Sequence, residues 1–248
     1  MTIFYFTSTG NSLSVAKRIG GNLISIPQIV DSENLQFKDD VIGVIFPIYA
    51  FAPPKMVQRF LNKAKVEADY VFAIGTCGNM TGACMLNLQK RFSFDYVNHL
   101  PMVDNYLPMF DVDSEIAKLP KKKTEEMIAK IADDIFNRRH IQATSAFWWR
   151  IITPLITNIL NITDSKQTKK FTINDQCNKC GVCANVCPAK NITVNDNIMF
   201  GNQCEVCLGC LHHCPQNALR MKNEKSNKRW CNPEVSLEEI INANNRNK

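Results

Sequence analysis

Short apolar runs alternate with amphipathic segments through the first half of the chain. Four runs rich in β-branched and aromatic residues predict buried strands, at 2–6, 41–46, 70–74 and 96–103. Apolar residues that recur every three or four positions predict helices, at 13–19, 56–61, 83–88 and 125–139. Strands that alternate with helices are typical of a parallel sheet with helices on both faces. The pattern therefore predicts an α/β domain over residues 1–140.

A different pattern follows residue 140. Residues 147–162 are mainly large and apolar, and their polar positions recur at helical spacing, at Arg150, Thr153, Thr157 and Asn161. This predicts an amphipathic helix, bent at Pro154, within a linker over 141–170. We expect its apolar side to pack between two domains, and a membrane surface or a docking partner is the alternative. A polar tail over 223–248 is predicted to contain a short helix at 236–243.

Composition excludes several classes of protein. Hydrophobic residues make up 45% of the 248 residues and charged residues 21%, which is ordinary for a folded globular protein. The sequence has no apolar run of about 18 residues that would span a membrane and no secretory signal at its start, so we expect a cytoplasmic protein. The net charge of +6 is moderate, and no nucleic-acid motif accompanies it, so we expect no nucleic-acid partner.

Eleven cysteines need an explanation other than disulfides, because thiols stay reduced in the cytosol. Eight of them form the motif C-x2-C-x2-C-x3-C-P twice, with the second copy 27 residues after the first (204 minus 177). Zinc also binds pairs of cysteines, but it does not require three of them at this spacing followed by a fourth and a proline. His212 and His213 lie inside the second copy, and we expect them at the surface because cysteines fill every coordination position.

This duplicated motif resembles that of the bacterial two-cluster ferredoxins, over residues 171–221. The resemblance implies a small α+β domain over 171–222 that holds two [4Fe–4S] clusters. In that family the fourth ligand of each cluster comes from the other copy of the motif. The implied ligands are Cys177, Cys180, Cys183 and Cys214 for one cluster, and Cys204, Cys207, Cys210 and Cys187 for the other.

A small polar loop follows the first predicted strand. It carries three hydroxyls and a glycine just before a predicted helix, where backbone N–H groups and the helix dipole attract anions. The loop contains no lysine or arginine and lacks the pattern of a P-loop. Its alternative interpretation is an ordinary turn rich in serine and threonine. The candidate phosphate ligands are Thr7, Ser8, Thr9, Gly10, Asn11 and Ser12.

The position of this loop resembles that of the phosphate loop of flavodoxins, and the resemblance covers about residues 1–140. It implies a doubly wound parallel sheet that binds FMN at the switch point between strands one and three. The loops after the strands 41–46 and 70–74 would then flank the isoalloxazine ring. Tyr49 is the candidate for ring stacking, with Phe51 second. The implied contacts in these two loops are Pro47, Tyr49, Phe51, Thr76, Gly78, Asn79 and Gly82.

Joined in this order, the two parts resemble the flavodoxin–ferredoxin fusions called EFR-type ferrodoxins, which occur mainly in anaerobes. The resemblance implies a protein that passes low-potential electrons between FMN and two clusters and on to redox partner proteins. Two alternatives remain open. One is a flavin-dependent reductase that acts on a small substrate, and the other is an iron–sulfur protein whose first domain lacks flavin and only docks a partner. The N-terminal loops offer no clear acid–base group beyond Asp104, Asp111 and Asp113, which favours the carrier.

Overall fold

The structure is a computed structural model that describes residues 1–160 and 165–245, without the side chains at 157–160 and 165. In the N-terminal part, strands and helices alternate as the sequence predicts. Its elements are β1 (Thr2–Tyr5), α1 (Asn11–Ile19), β2 (Asn22–Ser25), α2 (Ile26–Ile29), β3 (Gln36–Lys38), β4 (Val41–Pro47), α3 (Lys55–Lys63), β5 (Lys65–Glu67), β6 (Tyr70–Cys77), α4 (Cys84–Arg91), β7 (Tyr96–Pro101), α5 (Val112–Ala117), α6 (Leu119–Lys122), α7 (Thr124–Phe136) and α8 (Phe147–Leu160).

The second part of the chain consists of much shorter elements. A 3-10 helix at Ser165–Lys170 precedes two antiparallel ribbons, in which β8 pairs with β11 and β9 pairs with β10. Its elements are β8 (Phe171–Ile173), α9 (Val182–Asn185), β9 (Ile192–Val194), β10 (Ile198–Phe200), α10 (Gly209–His212), β11 (Leu219–Met221) and α11 (Leu237–Asn244). None of the helices in the described ranges is long and apolar enough to cross a membrane.

A five-stranded parallel sheet in the order β2-β1-β4-β6-β7 forms the centre of the N-terminal domain. When the five strands of this sheet are numbered by their order along the chain, their order in the sheet is 2-1-3-4-5, that of a flavodoxin-like fold. The four predicted strands are therefore present as β1, β4, β6 and β7. The edge strand β2 was not predicted, because Leu23 and Ile24 are an apolar run of only two residues.

Helices cover both faces of the sheet, so the central strands are buried on both sides. Alternate residues of one strand reach opposite faces, and Ile3 and Phe4 accordingly belong to two separate apolar cores. Gly43 in β4 makes room for a neighbouring ring, because a Cβ atom there would lie 2.1 Å from Cζ of Phe72. Both cores continue into the second part of the chain, one through buried residues such as Leu211 and the other through Ala189.

The tail after residue 222 folds back onto the N-terminal domain. Helix α11 begins with a capping box, in which Ser236 and Glu239 each bond the backbone N–H of the other. It then lies against α2, and Ser25 Oγ donates to the carbonyl of Ala243 at 2.5 Å. The predicted helix at 236–243 is present, and it ends one residue later.

The amphipathic helix α8 leaves most of its predicted apolar side exposed. Thr153, from the predicted polar stripe, is buried, whereas the large apolar side chains on the other side of the helix are exposed. The expected packing of this apolar side between two domains is therefore wrong. Of the same predicted stripe, Asn161 and the side chain of Thr157 lie outside the described residues.

Candidate functional site

A cavity of about 180 Å³ lies at the carboxyl ends of β1, β4 and β6. Parallel strands of a doubly wound sheet form such a crevice where the strand order reverses, here between β1 and β4. Of the predicted FMN contacts, Gly10 and Gly82 do not line the cavity, and the others do. Those that line it are Thr7, Ser8, Thr9, Asn11, Ser12, Pro47, Tyr49, Phe51, Thr76, Gly78 and Asn79.

The loop Thr7–Ser12 is held in place by hydrogen bonds to its hydroxyl groups. Ser12 Oγ bonds Thr76 Oγ1 at 2.9 Å, and Asn105 Nδ2 donates to Thr9 Oγ1 at 2.8 Å. The loop leads into α1, a helix of nine residues, whose N-terminus favours negative charge. Buried hydroxyls beside a helix N-terminus, with no carboxylate in the loop, fit a phosphate group.

Gly10 takes part in this loop without lining the cavity. Its φ of 97° lies in the left-handed region, which favours glycine. A Cβ atom here would lie 2.9 Å from Cβ of Asn232, so the back of the loop is closely covered by the tail. A segment of the tail therefore packs directly against Gly10 on this side.

Tyr49 lines the cavity and bonds the loop Thr7–Ser12. Its hydroxyl lies 2.9 Å from Ser8 Oγ, and burial raises the pKa of that hydroxyl well above its usual value. A tight turn joins Tyr49 and Ala52, which bond each other through both backbone groups. The two residues inside the turn, Ala50 and Phe51, have φ angles of 47° and 65°. Non-glycine residues in this region are strained, and such strain is concentrated at functional sites.

Asp104 is the carboxylate among the three predicted candidates that lies in the cavity. Asp111 instead caps α5 by accepting from the backbone N–H of Ser114, and Asp113 pairs with Lys228. Burial raises the pKa of Asp104 from 3.8 to about 6. Gly78 allows this arrangement, since a Cβ atom there would lie 2.0 Å from Oδ2 of Asp104.

Lys122 was not among the predicted site residues, yet its side chain binds the loop that follows β6. Its ammonium group donates to the carbonyls of Gly78 and Met102, at 3.0 and 2.5 Å, and pairs with Glu115. Both charged side chains are almost fully buried. No sequence pattern indicates this contact, because Lys122 is the middle one of three consecutive lysines in an ordinary charged segment.

Two smaller cavities, of about 20 Å³ each, lie in the cysteine-rich part. All eleven cysteines lie within the described residues and are free thiols. Four cysteines line each cavity, in the same sets as those that the ferredoxin resemblance implies. One cavity is lined by Cys177, Cys180, Cys183 and Cys214, and the other by Cys187, Cys204, Cys207 and Cys210.

In each of these two small cavities, the four thiols surround an open space. Across the described ranges, no group of three or more histidine, cysteine or acidic side chains is placed to hold a metal ion.

The backbone conformation also repeats between the two cysteine motifs. Lys179 and Gly181 flank the second cysteine of the first motif and have φ angles of 57° and 78°. Their counterparts 27 residues later, Val206 and Leu208, have φ angles of 52° and 55° (179 plus 27, 181 plus 27). A left-handed conformation is unusual for valine, so both loops are bent in the same way despite different side chains.

Hydrogen bonds to sulfur follow the same repeat. The backbone N–H of Asn191 donates to Cys187 Sγ, and that of Ala218 donates to Cys214 Sγ, both at 3.3 Å. These two pairs are again 27 residues apart (214 minus 187). Backbone donors aimed at sulfur suit a thiolate better than a neutral thiol, because a charged acceptor forms the stronger bond.

Cys207 lines both the large cavity and the second cysteine cavity. It reaches this position because α10 approaches the loop Thr7–Ser12 closely. A Cβ atom on Gly209 would lie 3.3 Å from the carbonyl oxygen of Ser8. Leu208 lines both cavities as well, so Cys207 and Leu208 together form the wall between them.

His212 and His213 are buried, so the prediction that they lie at the surface is wrong. His212 Nδ1 accepts from the backbone N–H of Trp230, which leaves Nε2 to donate to the carbonyl of Asn105 at 2.9 Å. Burial lowers the pKa of His212 to about 3, so the ring is neutral. His213 Nε2 contacts the Ser8 carbonyl at 3.0 Å. Both rings thus join the cysteine-rich part to the loops of the large cavity.

The tail also contacts the loop Thr7–Ser12. Trp230 Nε1 and Asn232 Nδ2 both donate to Asn11 Oδ1, and the backbone N–H of Asn232 donates to the carbonyl of Thr9 at 2.8 Å. The sequence shows these residues as a polar tail, and no local pattern indicates that they return to the first loop.

Comparison with known proteins gives little beyond these observations. No protein-family model and no curated protein matches the chain. Two solved structures, each described as a "putative flavoprotein", are similar to part of it. The one from Bacteroides eggerthii DSM 20697 is 17% identical, with a TM-score of 0.33, over 49% of this chain and 96% of its own. The one from Bacteroides uniformis ATCC 8492 is 14% identical, with a TM-score of 0.34, over 48% and 97%.

The buried carboxyl of Asp104 makes a prediction about stability and pH. A raised pKa means that the folded protein binds this proton more tightly than the unfolded chain does. Asp104 therefore lowers stability as the pH rises from 3.8 through about 6, by roughly 2–3 kcal/mol once both states are ionised. Asp104→Asn should raise the melting temperature at pH 8, and the gain should disappear near pH 4.

Thermal unfolding followed by circular dichroism over this pH range measures the effect. Asp113→Asn, which removes an exposed carboxylate, is the matched control. An equal gain for Asp104→Asn at pH 4 and pH 8 would show that the carboxyl is not desolvated in the fold.

Proposed function

We propose that this protein transfers electrons between FMN, bound by the N-terminal domain, and two [4Fe–4S] clusters, bound by a two-cluster ferredoxin domain in the cysteine-rich part. The observation that carries the proposal is the position of Cys207, which lines both the flavodoxin-like cavity and a cavity formed by four cysteines. Redox centres in these two cavities would be separated by little more than the side chains of Cys207 and Leu208.

The donor set of the large cavity supports FMN. Hydroxyls of the loop Thr7–Ser12 and the N-terminus of α1 would bind the phosphate at one end. At the other end, aromatic and backbone groups of the loops after β4 and β6 would enclose the ring, including Tyr49 and Phe51. When bound, FMN supplies the exchange of two electrons on one side and single electrons on the other.

Three repeated features of the cysteine-rich part support clusters over zinc. The spacing, the left-handed residues and the N–H to sulfur bonds all recur after 27 residues. Each set of four thiols lines a cavity and includes one cysteine from the other copy of the motif, Cys214 or Cys187. That is the exchange of ligands typical of two-cluster ferredoxins.

The exposure of the cysteines suggests the direction of the electron route. In the set that contains Cys187, Cys207 and Cys210, the thiols are buried or half-buried. The other set includes Cys180, which is exposed to solvent. A redox partner protein would therefore approach the Cys180 side, and electrons would pass through the second set to the large cavity.

A flavin-dependent reductase is the second candidate function, and Asp104 is the observation that favours it. A carboxyl with a pKa near 6 in the cavity wall could give a proton to a substrate held against the flavin. Steady-state turnover of quinones or nitro compounds that falls in Asp104→Asn would favour this enzyme over a carrier.

The ligand sets predict which cluster each cysteine variant loses. Protein purified without oxygen should contain about eight iron atoms and eight sulfides. Cys187→Ser should damage the cluster of the second motif, and Cys214→Ser that of the first. Electron paramagnetic resonance of the reduced variants distinguishes the two. Cys231→Ser lies in neither set and serves as the control. Loss of the first-motif cluster in Cys187→Ser would contradict the exchange.

The phosphate loop predicts the effect of its variants on FMN affinity. Thr9→Ala and Asn105→Ala each remove one partner of a hydrogen bond in the loop, so each should weaken binding about 2- to 10-fold. Ser8→Asp should weaken it more, because a carboxylate would repel the phosphate. Titration calorimetry on flavin-free protein measures these affinities, with Thr2→Ala as the control. Wild-type protein that takes up no FMN would support the docking-only alternative.

Transfer within the chain is the test of the proposed function itself. After flash reduction of the clusters, the flavin absorbance should change at a rate independent of protein concentration. His213→Ala should slow this transfer, because it removes a buried hydrogen bond, worth roughly 1–3 kcal/mol, between the two parts. His140→Ala, at an exposed histidine, is the matched control. A rate proportional to protein concentration would exclude the internal route.

A further inference from the structure

Helix α8 presents a continuous apolar face to solvent. Successive positions one helical turn apart are exposed, with exposed fractions of 70% for Trp148, 40% for Ile152 and 56% for Leu155. Phe147 and Ile151 extend the same face, at 65% and 51%. Large apolar residues that are exposed together indicate an interaction surface, unlike single exposed ones.

The opposite side of α8 is fixed to the N-terminal domain. Thr153 Oγ1 accepts from the backbone N–H of Ala83 at 3.0 Å, and the ring of Trp149 packs against that of Phe51 with centroids 5.3 Å apart. A Cβ atom on Gly82 would lie 2.8 Å from Thr153 Oγ1, so no side chain separates the helix from this loop. These contacts determine which side of α8 faces outward.

Charge around α8 favours an anionic partner. Between residues 135 and 163 the sequence contains no aspartate or glutamate. Arg150 is exposed on the helix, and the segment 164–170 after it contains one aspartate and three lysines, all three of them exposed. An anionic surface could therefore approach the apolar face without meeting a carboxylate between residues 135 and 163.

We propose that α8 is an interfacial helix that binds the protein to the surface of a bilayer containing anionic lipid. Its 14 residues are too few to span a bilayer, which takes about 20, so the helix lies in the plane of the surface. Trp148 and the aliphatic side chains enter the boundary between headgroups and acyl chains, and Arg150 contacts the phosphates.

A second copy of the chain fits this face less well. In a two-fold contact the same surface meets itself, so Arg150 would approach its own counterpart in a segment without acidic residues. Anionic lipid removes that repulsion. Because α8 contacts Phe51, which lines the large cavity, binding would also bring that cavity close to the lipid.

Flotation of the full-length protein with lipid vesicles tests the proposal. The protein should float with vesicles of equal parts phosphatidylcholine and phosphatidylglycerol, and much less with phosphatidylcholine alone or at high salt. The double variant Trp148→Ser with Ile152→Ser should bind about tenfold more weakly or worse. Arg150→Glu should weaken binding to the anionic vesicles alone. Val66→Ser with Met199→Ser removes two exposed apolar side chains elsewhere and should bind like the wild type.

Three results would overturn the proposal. The first is wild-type protein that binds neither kind of vesicle. The second is equal binding by wild type and by the Trp148 and Ile152 variant, which would assign lipid binding to another surface. The third is a dimer in sedimentation experiments that this variant alone dissociates, which would assign α8 to a second copy. None of these measurements depends on bound flavin or iron, so failure here leaves the proposed electron transfer untouched.

Discussion

The close approach of α10 to the loop Thr7–Ser12 determines how the two parts of the site are arranged. Gly209 leaves space for the carbonyl of Ser8, and His213 donates to the same oxygen. Because Cys207 is only two residues before Gly209, this single contact also sets the separation between the large cavity and the nearer cysteine cavity. A larger residue at position 209 would push the two cavities apart. Their spacing therefore depends on the close packing of two backbone segments and on the hydrogen bond from the neutral ring of His213.

The two cysteine loops share a backbone but face different surroundings. In the first loop the left-handed positions are Lys179 and Gly181, at or near the surface. In the second they are Val206 and Leu208, which are buried and line the large cavity. Apolar burial offsets the strain of the left-handed conformation there. One duplicated turn thus serves in one copy as a solvent-facing loop and in the other as the wall of a binding cavity.

Local sequence patterns predicted the features that depend on residues close together in the sequence. Four strands follow from apolar runs, the polar loop at residue 7 from its place after the first strand, and the cysteine sets from their spacing and family resemblance. Long-range contacts could not be predicted in this way. Nothing near His212 or in the tail around Asn232 indicates that each meets the first loop. For α8 the pattern identified two faces, but it could not show that a small side chain, Thr153, would face inward while Trp148 faced outward.

The tail has a consequence for the order of events during synthesis. Asn244 Nδ2 donates to the carbonyl of Thr7, across a separation of 237 residues, and Asn232 covers the back of Gly10. During synthesis the loop Thr7–Ser12 emerges long before Asn232 and Asn244, so its outer side stays open to water until these two residues have followed. Contacts of such high sequence separation form late. A nascent N-terminal domain can therefore form its sheet early, while this polar loop completes its packing only when α11 arrives.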